Sequence, residues 1–491
     1  MIRKRLRRLR RRAHTFVGRT VRGLQDRTLG PWYYLRLPMD PNLVVYTCVW
    51  NRAPRGNPLA IYRKQQEIAP HLRGVWIVRK QDIHLIPPGI DYVTPRTLAY
   101  LRLIATASYF VDDANPHWSL PAREGQVYVQ THHGTALKYM GADRHYSGKR
   151  PTDETIVTMH RRCQRWTYSL STSPYLTEVW ERAYSTECTQ LEVGFPRNDV
   201  LFAATDADRA RHRAALGLGD HERAVLYMPT WRTRRGPRER EFDLTAFAES
   251  LPDGTRLLVR DHYYHDRRGR KVVPEQVIDV SQGWEVEDLY VASDALITDY
   301  SSAMFDYALL DRPILLFCYD WDDYRWSRGA YFDITADAPG QVVTTAEELV
   351  ETMRTGAFEH QEHEARRASF RTRFATYEDG RAAEKVVRVA LLGEDASEWT
   401  GHGYPSEHPA GWTPHPRVSH PENPAVEARM EPVGTPRVRV PVGEVLVDRE
   451  GDDDSDAAGD ELREPTTAEL EDAEPSTVQI ELDLDAERRS R

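Results

Sequence analysis

The chain has 491 residues, of which 40% are hydrophobic and 29% charged, and its formal net charge is −9. This length exceeds what one hydrophobic core usually supports, so two domains with additional tails are predicted. No apolar run approaches the roughly 20 residues that span a bilayer, and no secretory signal follows the basic start, so we expect the protein to stay in the cytoplasm.

The segment 1–30 is crowded with arginine. Its apolar residues recur at three- and four-residue spacing, which predicts one apolar stripe on an otherwise basic helix: Ile2, Leu6, Leu9, Ala13 and Phe16. Such a helix suits an anionic membrane surface. We favour this partner over nucleic acid, because a nucleic-acid arm needs no apolar stripe. A solvated basic tail without a fixed partner is the third interpretation.

Short apolar runs alternate with helical patterns through the middle of the chain. Strands are predicted at 43–49, 74–78, 109–111, 127–129, 191–193, 224–228, 256–259, 294–297 and 314–318, and helices include 59–68 and 98–107. Continuous apolar strands separated by helices are typical of parallel sheets that are buried on both faces. The sequence therefore predicts an α/β protein with two Rossmann-like domains, at 40–205 and 206–392, around a cleft. Residues 393–491 form a tail rich in proline and acidic side chains, for which disorder is predicted.

The loop after the predicted strand 127–129 reads QTHHGTALK, residues 130–138. An imidazole, with an ordinary pKa of about 6.5, can take up and return protons near neutral pH. Gly134 allows a ligand to approach the backbone closely, and Lys138 could sit near a phosphate. A structural turn with a buried histidine explains the same residues equally well.

Three loops of the second half also follow predicted strands, where ligands of such folds bind. Thr298, Asp299, Ser301 and Ser302 lie at a helix start, which suits a phosphate, although ordinary helix capping also explains them. Arg260 and His262 could neutralise a pyrophosphate or form a surface salt bridge, and Thr230 and Arg232 face the predicted cleft. The turn at 194–199 closes the first half and could be only a hinge.

Neither a metal nor a dinucleotide cofactor is expected. Adjacent histidines on an extended segment point to opposite sides, so His132 and His133 cannot grip one ion. No glycine-rich dinucleotide or P-loop sequence occurs. The four cysteines lack the spacing of a zinc site or a disulfide framework, which predicts reduced and mostly buried thiols.

Several motifs in a fixed order resemble the CDP-glycerol glycerophosphotransferases of teichoic acid synthesis. They are QTHHGTALK at 130–138, GFPRND at 194–199, MPTWR at 228–232, RDHY at 260–263 and TDYSSAMFD at 298–306, with NPLAI at 57–61, LDRP at 310–313 and RGAYFD at 328–333. The resemblance runs from about residue 43 to 392. It implies a GT-B fold and transfer of glycerol phosphate from CDP-glycerol to a hydroxyl of a lipid-linked acceptor, a growing polymer or a disaccharide, with release of CMP at the inner membrane face.

The resemblance also implies roles for individual residues. His133 would be the general base, and His262 would hold or protonate the pyrophosphate. Ser301 and Ser302 would bind its oxygens, and Arg312 would add positive charge. The remaining predicted substrate-binding residues are Gly134, Thr135, Lys138, Thr230, Arg232, Arg260, Thr298 and Asp299.

The chain departs from the family pattern beside the histidine. Family members usually carry Trp where His132 stands and Pro where Ala136 stands, which puts the acceptor in doubt more than the chemistry. Primase and polymerase, or glycerol and ribitol donors, are not separated by sequence. A GT-B glycosyltransferase that uses a nucleotide sugar and an inactive binding protein for phosphate polymers are the other hypotheses.

Overall fold

The computed structural model describes residues 32–114, 122–230, 244–260 and 274–400. They form two separate sheets in which every strand pair is parallel. We call the seven-stranded sheet with its helices the first lobe and the six-stranded sheet with its helices the second lobe. The predicted α/β class with two Rossmann-like sheets is confirmed.

The first sheet has the strand order β3-β2-β1-β4-β5-β6-β7. Its strands are β1 (Asp40–Thr47), β2 (Arg73–Ile77), β3 (Tyr92–Val93), β4 (Ala107–Asp112), β5 (Val127–Gln130), β6 (Tyr168–Ser171) and β7 (Thr189–Glu192). The order reverses between β1 and β4. In such sheets this switch point opens a crevice beyond the carboxyl ends of the strands, where ligands bind.

The second sheet repeats this plan with the order β10-β9-β8-β11-β12-β13. Its strands are β8 (Arg223–Met228), β9 (Thr255–Val259), β10 (Val277–Asp279), β11 (Ala295–Thr298), β12 (Ile314–Phe317) and β13 (Gln341–Val343). All four residues of β11 and all four of β12 are buried, as expected for central strands covered on both faces. The second switch point lies between β8 and β11.

The helices are α1 (Gly56–Ile68), α2 (Leu98–Thr106), α3 (Asp153–Cys163), α4 (Pro174–Tyr184), α5 (Asp199–Ala203), α6 (Asp206–Ala215), α7 (Leu244–Glu249), α8 (Val286–Ala292), α9 (Ala303–Tyr307), α10 (Trp321–Arg328), α11 (Ala346–Thr355), α12 (Glu362–Phe374) and α13 (Ala382–Val386), which continues as a π-helix over Val387–Leu391. Local sequence explains several starts. Thr205 and Thr345 each form a capping box, with Asp208 and Glu348 respectively. Such an N-cap stabilises a helix by about 1 kcal/mol.

All nine predicted strands are present, with ends within a few residues of the predicted ones. The four strands that were not predicted are β3, β6, β10 and β13. Three of them have two or three residues and lie at sheet edges, so they carry little apolar signal. The fourth, β6, reads YSLS, because its buried positions are filled partly by serine.

Direct backbone hydrogen bonds join the two lobes. Tyr331 N–H donates to the Leu137 carbonyl oxygen at 2.9 Å, and Gly148 N–H donates to the Trp326 carbonyl oxygen at 2.8 Å. The Tyr331 hydroxyl accepts from Met140 N–H at 3.0 Å. The loop that begins with the two histidines is therefore fixed against the second lobe at its far end.

The chain returns to the first lobe over residues 382–391. The two helical segments that cover 382–391 pack on α1, and their apolar residues share one buried core with β1 and β2. The carboxylate of Asp199 accepts from Ala382 N–H at 2.9 Å and from Ala383 N–H at 2.8 Å. Residues that the sequence assigned to the second domain thus complete the first lobe.

The predicted start of the disordered tail at residue 393 is wrong. Residues 393–400 continue the ordered fold, with a short 3-10 helix over Ala396–Glu398. Trp399 packs against the core, and the Arg388 guanidinium lies 4.7 Å from its ring centroid. The rest of the predicted tail, 401–491, and the predicted basic helix, 1–30, lie outside the described residues.

Candidate active site

His132 is a structural residue. Its backbone is left-handed, with φ 50°, rather than extended as predicted. The ring stacks on Trp180 at a centroid distance of 4.0 Å, and Nε2 lies 2.9 Å from the Ser169 hydroxyl. Burial lowers the pKa of His132 well below its usual range, so the ring is neutral. For His132, the interpretation as a buried histidine in a structural turn is therefore the correct one.

His133 has a different environment. Its ring is half-buried, and Nδ1 lies 2.9 Å from the backbone carbonyl oxygen of Asp113, directly after β4. A carbonyl oxygen can only accept, so this contact places the imidazole proton on Nδ1 and leaves Nε2 with its lone pair. The two rings have different partners, and of the two only His133 has the arrangement of a general base.

A buried carboxylate lies beside this histidine. Burial raises the pKa of Asp113 to about 6, and the positive charges that His133 carries when protonated and that Arg55 carries oppose that rise. At pH 7 the Asp113 carboxyl group is therefore ionised in most molecules. A negative charge here would stabilise the imidazolium that forms when His133 takes a proton.

The opposite wall is the turn between β11 and α9. Ser301 and Ser302 are half-buried there, and the Ser301 hydroxyl accepts from Ala303 N–H at 3.3 Å. An ideal Cβ placed on Gly134 would lie 2.6 Å from the Ser302 Oγ and 2.8 Å from its Cβ. The histidine loop of the first lobe and the serine turn of the second lobe therefore touch across one crevice.

Three of the predicted binding residues hold the base of this crevice. The Asp299 carboxylate accepts from Thr230 N–H at 2.9 Å and from the Thr230 hydroxyl at 2.6 Å. The Thr298 hydroxyl donates to the Met228 carbonyl oxygen at 2.7 Å. These bonds join the ends of β8 and β11 at the switch point, so they support the serine turn from below.

Thr135 and Lys138 complete the histidine loop. Thr135 is buried, and its hydroxyl lies 3.4 Å from that of Thr172. Lys138 is half-buried. Thr135 thus has a packing role within the first lobe.

Of the predicted binding arginines, the two that the structure describes, Arg260 and Arg312, lie at opposite edges of the second sheet. Arg260 follows β9 at the carboxyl edge, and its guanidinium donates to the Trp284 carbonyl oxygen at 3.1 Å. Arg312 precedes β12 at the amino edge. Its Nη1 donates to the carbonyl oxygens of Tyr290, Val291 and Ser293 at 3.0, 2.9 and 2.6 Å, at the end of α8.

The prediction that Arg312 adds charge to the pyrophosphate site is therefore corrected. The carboxyl edge of a parallel sheet carries the ligand, and Arg312 lies at the other edge. Its charge instead interacts with the negative end of the α8 dipole. Arg232 and His262 lie outside the described residues.

A buried polar cluster beneath the crevice was missed in the sequence. Arg197, in the turn assigned to a hinge, lies 2.6 Å from the Asp306 carboxylate and 4.0 Å from that of Glu287. Burial raises the pKa of Glu287 to about 7 and that of Glu378 to about 8. The motifs GFPRND and TDYSSAMFD contained Arg197 and Asp306, but nothing local showed that they pair.

Within the part of the chain that the structure describes, no three His, Cys, Asp or Glu side chains are grouped as metal ligands. All four cysteines are free thiols, and Cys48, Cys163 and Cys318 are buried, as predicted. No helix among the described residues combines the length and apolarity needed to cross a bilayer.

Two Rossmann-like sheets that face one crevice, with an imidazole on one wall and a hydroxyl-lined helix start on the other, are the arrangement of a GT-B-like fold. The family profile described as CDP-glycerol:poly(glycerophosphate) glycerophosphotransferase matches residues 32–392. The chain belongs to this family, as the sequence motifs predicted.

Individual relatives agree with that assignment. The teichoic acid poly(glycerol phosphate) polymerase of Bacillus subtilis is 31% identical over 374 residues, which cover 73% of this chain and 50% of the relative. The teichoic acid glycerol-phosphate transferase of Staphylococcus aureus is 29% identical over 76% of this chain and 99% of its own length. The chain thus spans about half of some polymerases and nearly all of the transferase.

A solved structure of the wall teichoic acid polymerase TagF superposes with a TM-score of 0.70 at 29% identity, and covers 81% of this chain and 98% of that one. A variant of TagF soaked with CDPG gives a TM-score of 0.68 over 77% of this chain and 97% of that one, also at 29% identity.

Proposed function

We propose that this protein transfers glycerol phosphate from CDP-glycerol to a hydroxyl of a lipid-linked acceptor or growing teichoic-acid-like polymer, and releases CMP. The observation that carries the proposal is the contact between the histidine loop and the serine turn, where Gly134 meets Ser302. It gives one crevice a proton acceptor and several hydrogen-bond donors for phosphate oxygens. Transfer of a phosphate-linked group needs both.

The acceptor hydroxyl lies next to His133 in this mechanism. Nε2 of His133 takes the hydroxyl proton as the oxygen attacks the phosphorus that carries glycerol. The new P–O bond forms, the bond to the CMP oxygen breaks, and the electron pair leaves with CMP. The Asp113 carboxylate stabilises the charged imidazole, and Ser301 and Ser302 donate to the phosphate oxygens.

Arg232 and His262 are assigned to the leaving CMP. In the sequence Arg232 follows β8 and His262 follows β9, and ligands of such folds bind beyond the carboxyl ends of the strands. A cation and a proton donor at that position would neutralise the charge that develops on the departing phosphate.

The relatives favour glycerol over ribitol as the alditol of the donor. The poly(glycerol phosphate) polymerases of Staphylococcus epidermidis and Bacillus subtilis are each 31% identical to this chain, whereas the ribitol-phosphate primase of Bacillus spizizenii is 27% identical. Relatives named as polymerases and as transferases both match, which leaves a lipid-linked disaccharide and an existing polymer open as the acceptor.

Purified full-length protein is expected to release CMP from CDP-glycerol when a lipid-linked acceptor is supplied. CDP-ribitol and a panel of nucleotide sugars, tested at equal concentration, should give at least about tenfold lower rates, since a misfitted group in a built pocket typically costs 1–3 kcal/mol. Release of a nucleoside diphosphate from a nucleotide sugar would instead establish a glycosyltransferase. Tight acceptor binding without release of any product would establish an inactive binding protein.

The enzyme is proposed to work at the cytoplasmic face of the membrane through segment 1–30. The supporting observation is the composition of that segment, with its apolar stripe and arginine-rich remainder. Each basic residue near an anionic surface contributes about 1 kcal/mol.

Deleting residues 1–25 is therefore expected to abolish sedimentation with vesicles that contain anionic lipid at moderate salt. Activity on a soluble acceptor analogue should be retained, because the deletion ends before the described fold. A variant with Leu6, Leu9 and Phe16 replaced by serine keeps every charge and serves as the control for the apolar stripe. Undiminished sedimentation of the deleted protein would show that another surface makes the contact.

A further inference from the structure

Asn57 connects the two walls of the candidate active site, although it belongs to neither the histidine loop nor the serine turn. It is the second residue of α1, and it is 1% exposed. Its Nδ2 donates to the Thr131 carbonyl oxygen at 3.0 Å and to the His132 carbonyl oxygen at 2.9 Å. These are the two peptide units that immediately precede His133.

Other contacts besides Asn57 also hold the backbone at this point: Thr131 N–H donates to the Asp112 carbonyl oxygen at 2.7 Å, and the Thr131 hydroxyl donates to the His132 carbonyl oxygen at 3.2 Å. The backbone has left β5 here, and His132 adopts the left-handed conformation, which is uncommon outside glycine. The Gln130 side chain accepts from His132 N–H at 2.9 Å, so one side-chain amide holds the N–H of this residue and the other holds its carbonyl oxygen. Together they set the direction in which the next residue, His133, leaves the loop.

The other end of the Asn57 amide reaches the second lobe through Arg197. Asn57 Oδ1 accepts from Arg197 N–H at 3.1 Å, and the Arg197 guanidinium lies 2.6 Å from the Asp306 carboxylate. Both charged side chains are almost fully buried, so their attraction is little screened. Asp306 lies on α9, the helix that begins directly after Ser302.

We propose that Asn57, Arg197 and Asp306 form a positioning relay that fixes the His133 loop relative to the serine turn across the crevice. This inference rests on the proposed transfer reaction. None of the three residues needs to contact substrate. The relay works because both of its ends are tied to reacting groups: the carbonyls before His133 at one end, and the helix that starts after Ser302 at the other.

The amide is the group that this position requires. It donates twice, to two carbonyls, and accepts once, from a backbone N–H, and an asparagine can do both at the same time. An aspartate of the same shape keeps the acceptor for Arg197 but presents an oxygen to the Thr131 and His132 carbonyls. The loop is then repelled from α1, and a displacement of about 1 Å at a reacting group can lower a rate by about 100-fold.

The decisive experiment compares kinetics of the full-length Asn57→Asp variant with the unchanged protein. We expect kcat to fall about 100-fold, while KM for CDP-glycerol stays within about twofold, because donor binding is assigned to the second lobe. Asn42→Asp makes the same change at an exposed position at the start of β1 and is expected to leave both constants unchanged. A kcat for Asn57→Asp equal to that of the unchanged protein would overturn the relay.

Combination with His133→Ala separates positioning from a general loss of structure. If Asn57 acts through His133, then Asn57→Asp should change the residual rate of a His133→Ala protein by less than about twofold. An undiminished 100-fold loss in that background would mean that Asn57 acts elsewhere, and the relay would be wrong. Asp306→Asn, which keeps its shape but loses its charge, tests the other end and should lower kcat with little change in KM.

A measurement that does not depend on turnover tests the relay even if the proposed function is wrong. In the unchanged protein, nitrogen NMR of His133 should show a proton held on Nδ1, since that atom faces the Asp113 carbonyl oxygen. Asn57→Asp should lose this single tautomer and give an exchanging mixture. If CDP-glycerol is not a substrate, the proposed function fails while this signal still decides the relay; a retained Nδ1 proton in the variant contradicts the relay alone.

Discussion

Replacing His133 by alanine is expected to lower kcat for glycerol phosphate transfer by about 10³-fold, in the range that general bases contribute. The variant loses the Nε2 that is proposed to take the acceptor proton. Its dissociation constant for CDP-glycerol, measured by calorimetry, should stay within about twofold, because no donor contact is assigned to this ring. The loss therefore belongs to the chemical step and not to binding.

His71→Ala is a suitable control for that experiment. His71 is exposed and precedes β2, at the amino edge of the first sheet, so its removal should leave kcat unchanged. A His133→Ala protein that turns over at the normal rate would remove this residue from the base role. A variant that no longer binds CDP-glycerol would place His133 in the donor site instead.

Replacing Gly134 by alanine is the second change with a large expected effect. The added methyl group would lie 2.6 Å from the Ser302 Oγ and 2.8 Å from its Cβ, well inside van der Waals contact. Either Ser302 turns away or the two walls of the crevice separate. Because a displacement of about 1 Å can cost about 100-fold in rate, we expect kcat to fall by about that factor.

Gly219→Ala provides the matched control for the glycine change. An ideal Cβ at Gly219 meets only Glu222, at 3.5 Å or more, so this variant should keep full activity. The origin of the Gly134 effect is tested by combination with Ser302→Gly, which removes the clashing atoms. The double variant should be no slower than Ser302→Gly alone; a further loss would mean that the added methyl group acts through another contact.

The sequence predicted the fold well where apolar residues are continuous. The central strands β11 and β12 are entirely buried, and each was predicted to within one residue. The serine-containing β6 escaped because Ser169 and Ser171 are buried polar residues whose side chains bond within the fold, which a hydrophobic pattern does not show. The loops after β5 and β11 were predictable as a candidate site, since parallel topology brings the carboxyl ends of strands to one edge.

Residue-level contacts were less predictable. Of two consecutive histidines, His132 is a buried ring stacked on Trp180, and His133 is the proposed general base, with Nδ1 at the Asp113 carbonyl oxygen; the local sequence shows neither contact. Arg312 was predicted at the wrong edge of the second sheet. A motif gives the order of residues but does not show at which end of a strand a side chain lies. Asn57, Arg197 and Asp306 are separated by more than 100 residues in the chain, and no local pattern links them.

The return of residues 382–391 to α1 also constrains how the protein is made. During synthesis the first sheet emerges early, but α1 lacks part of its apolar cover until residue 391 has left the ribosome. Contacts between such distant residues form slowly, because a long loop must close first. Over that interval the incomplete lobe exposes apolar surface of the kind that chaperones bind.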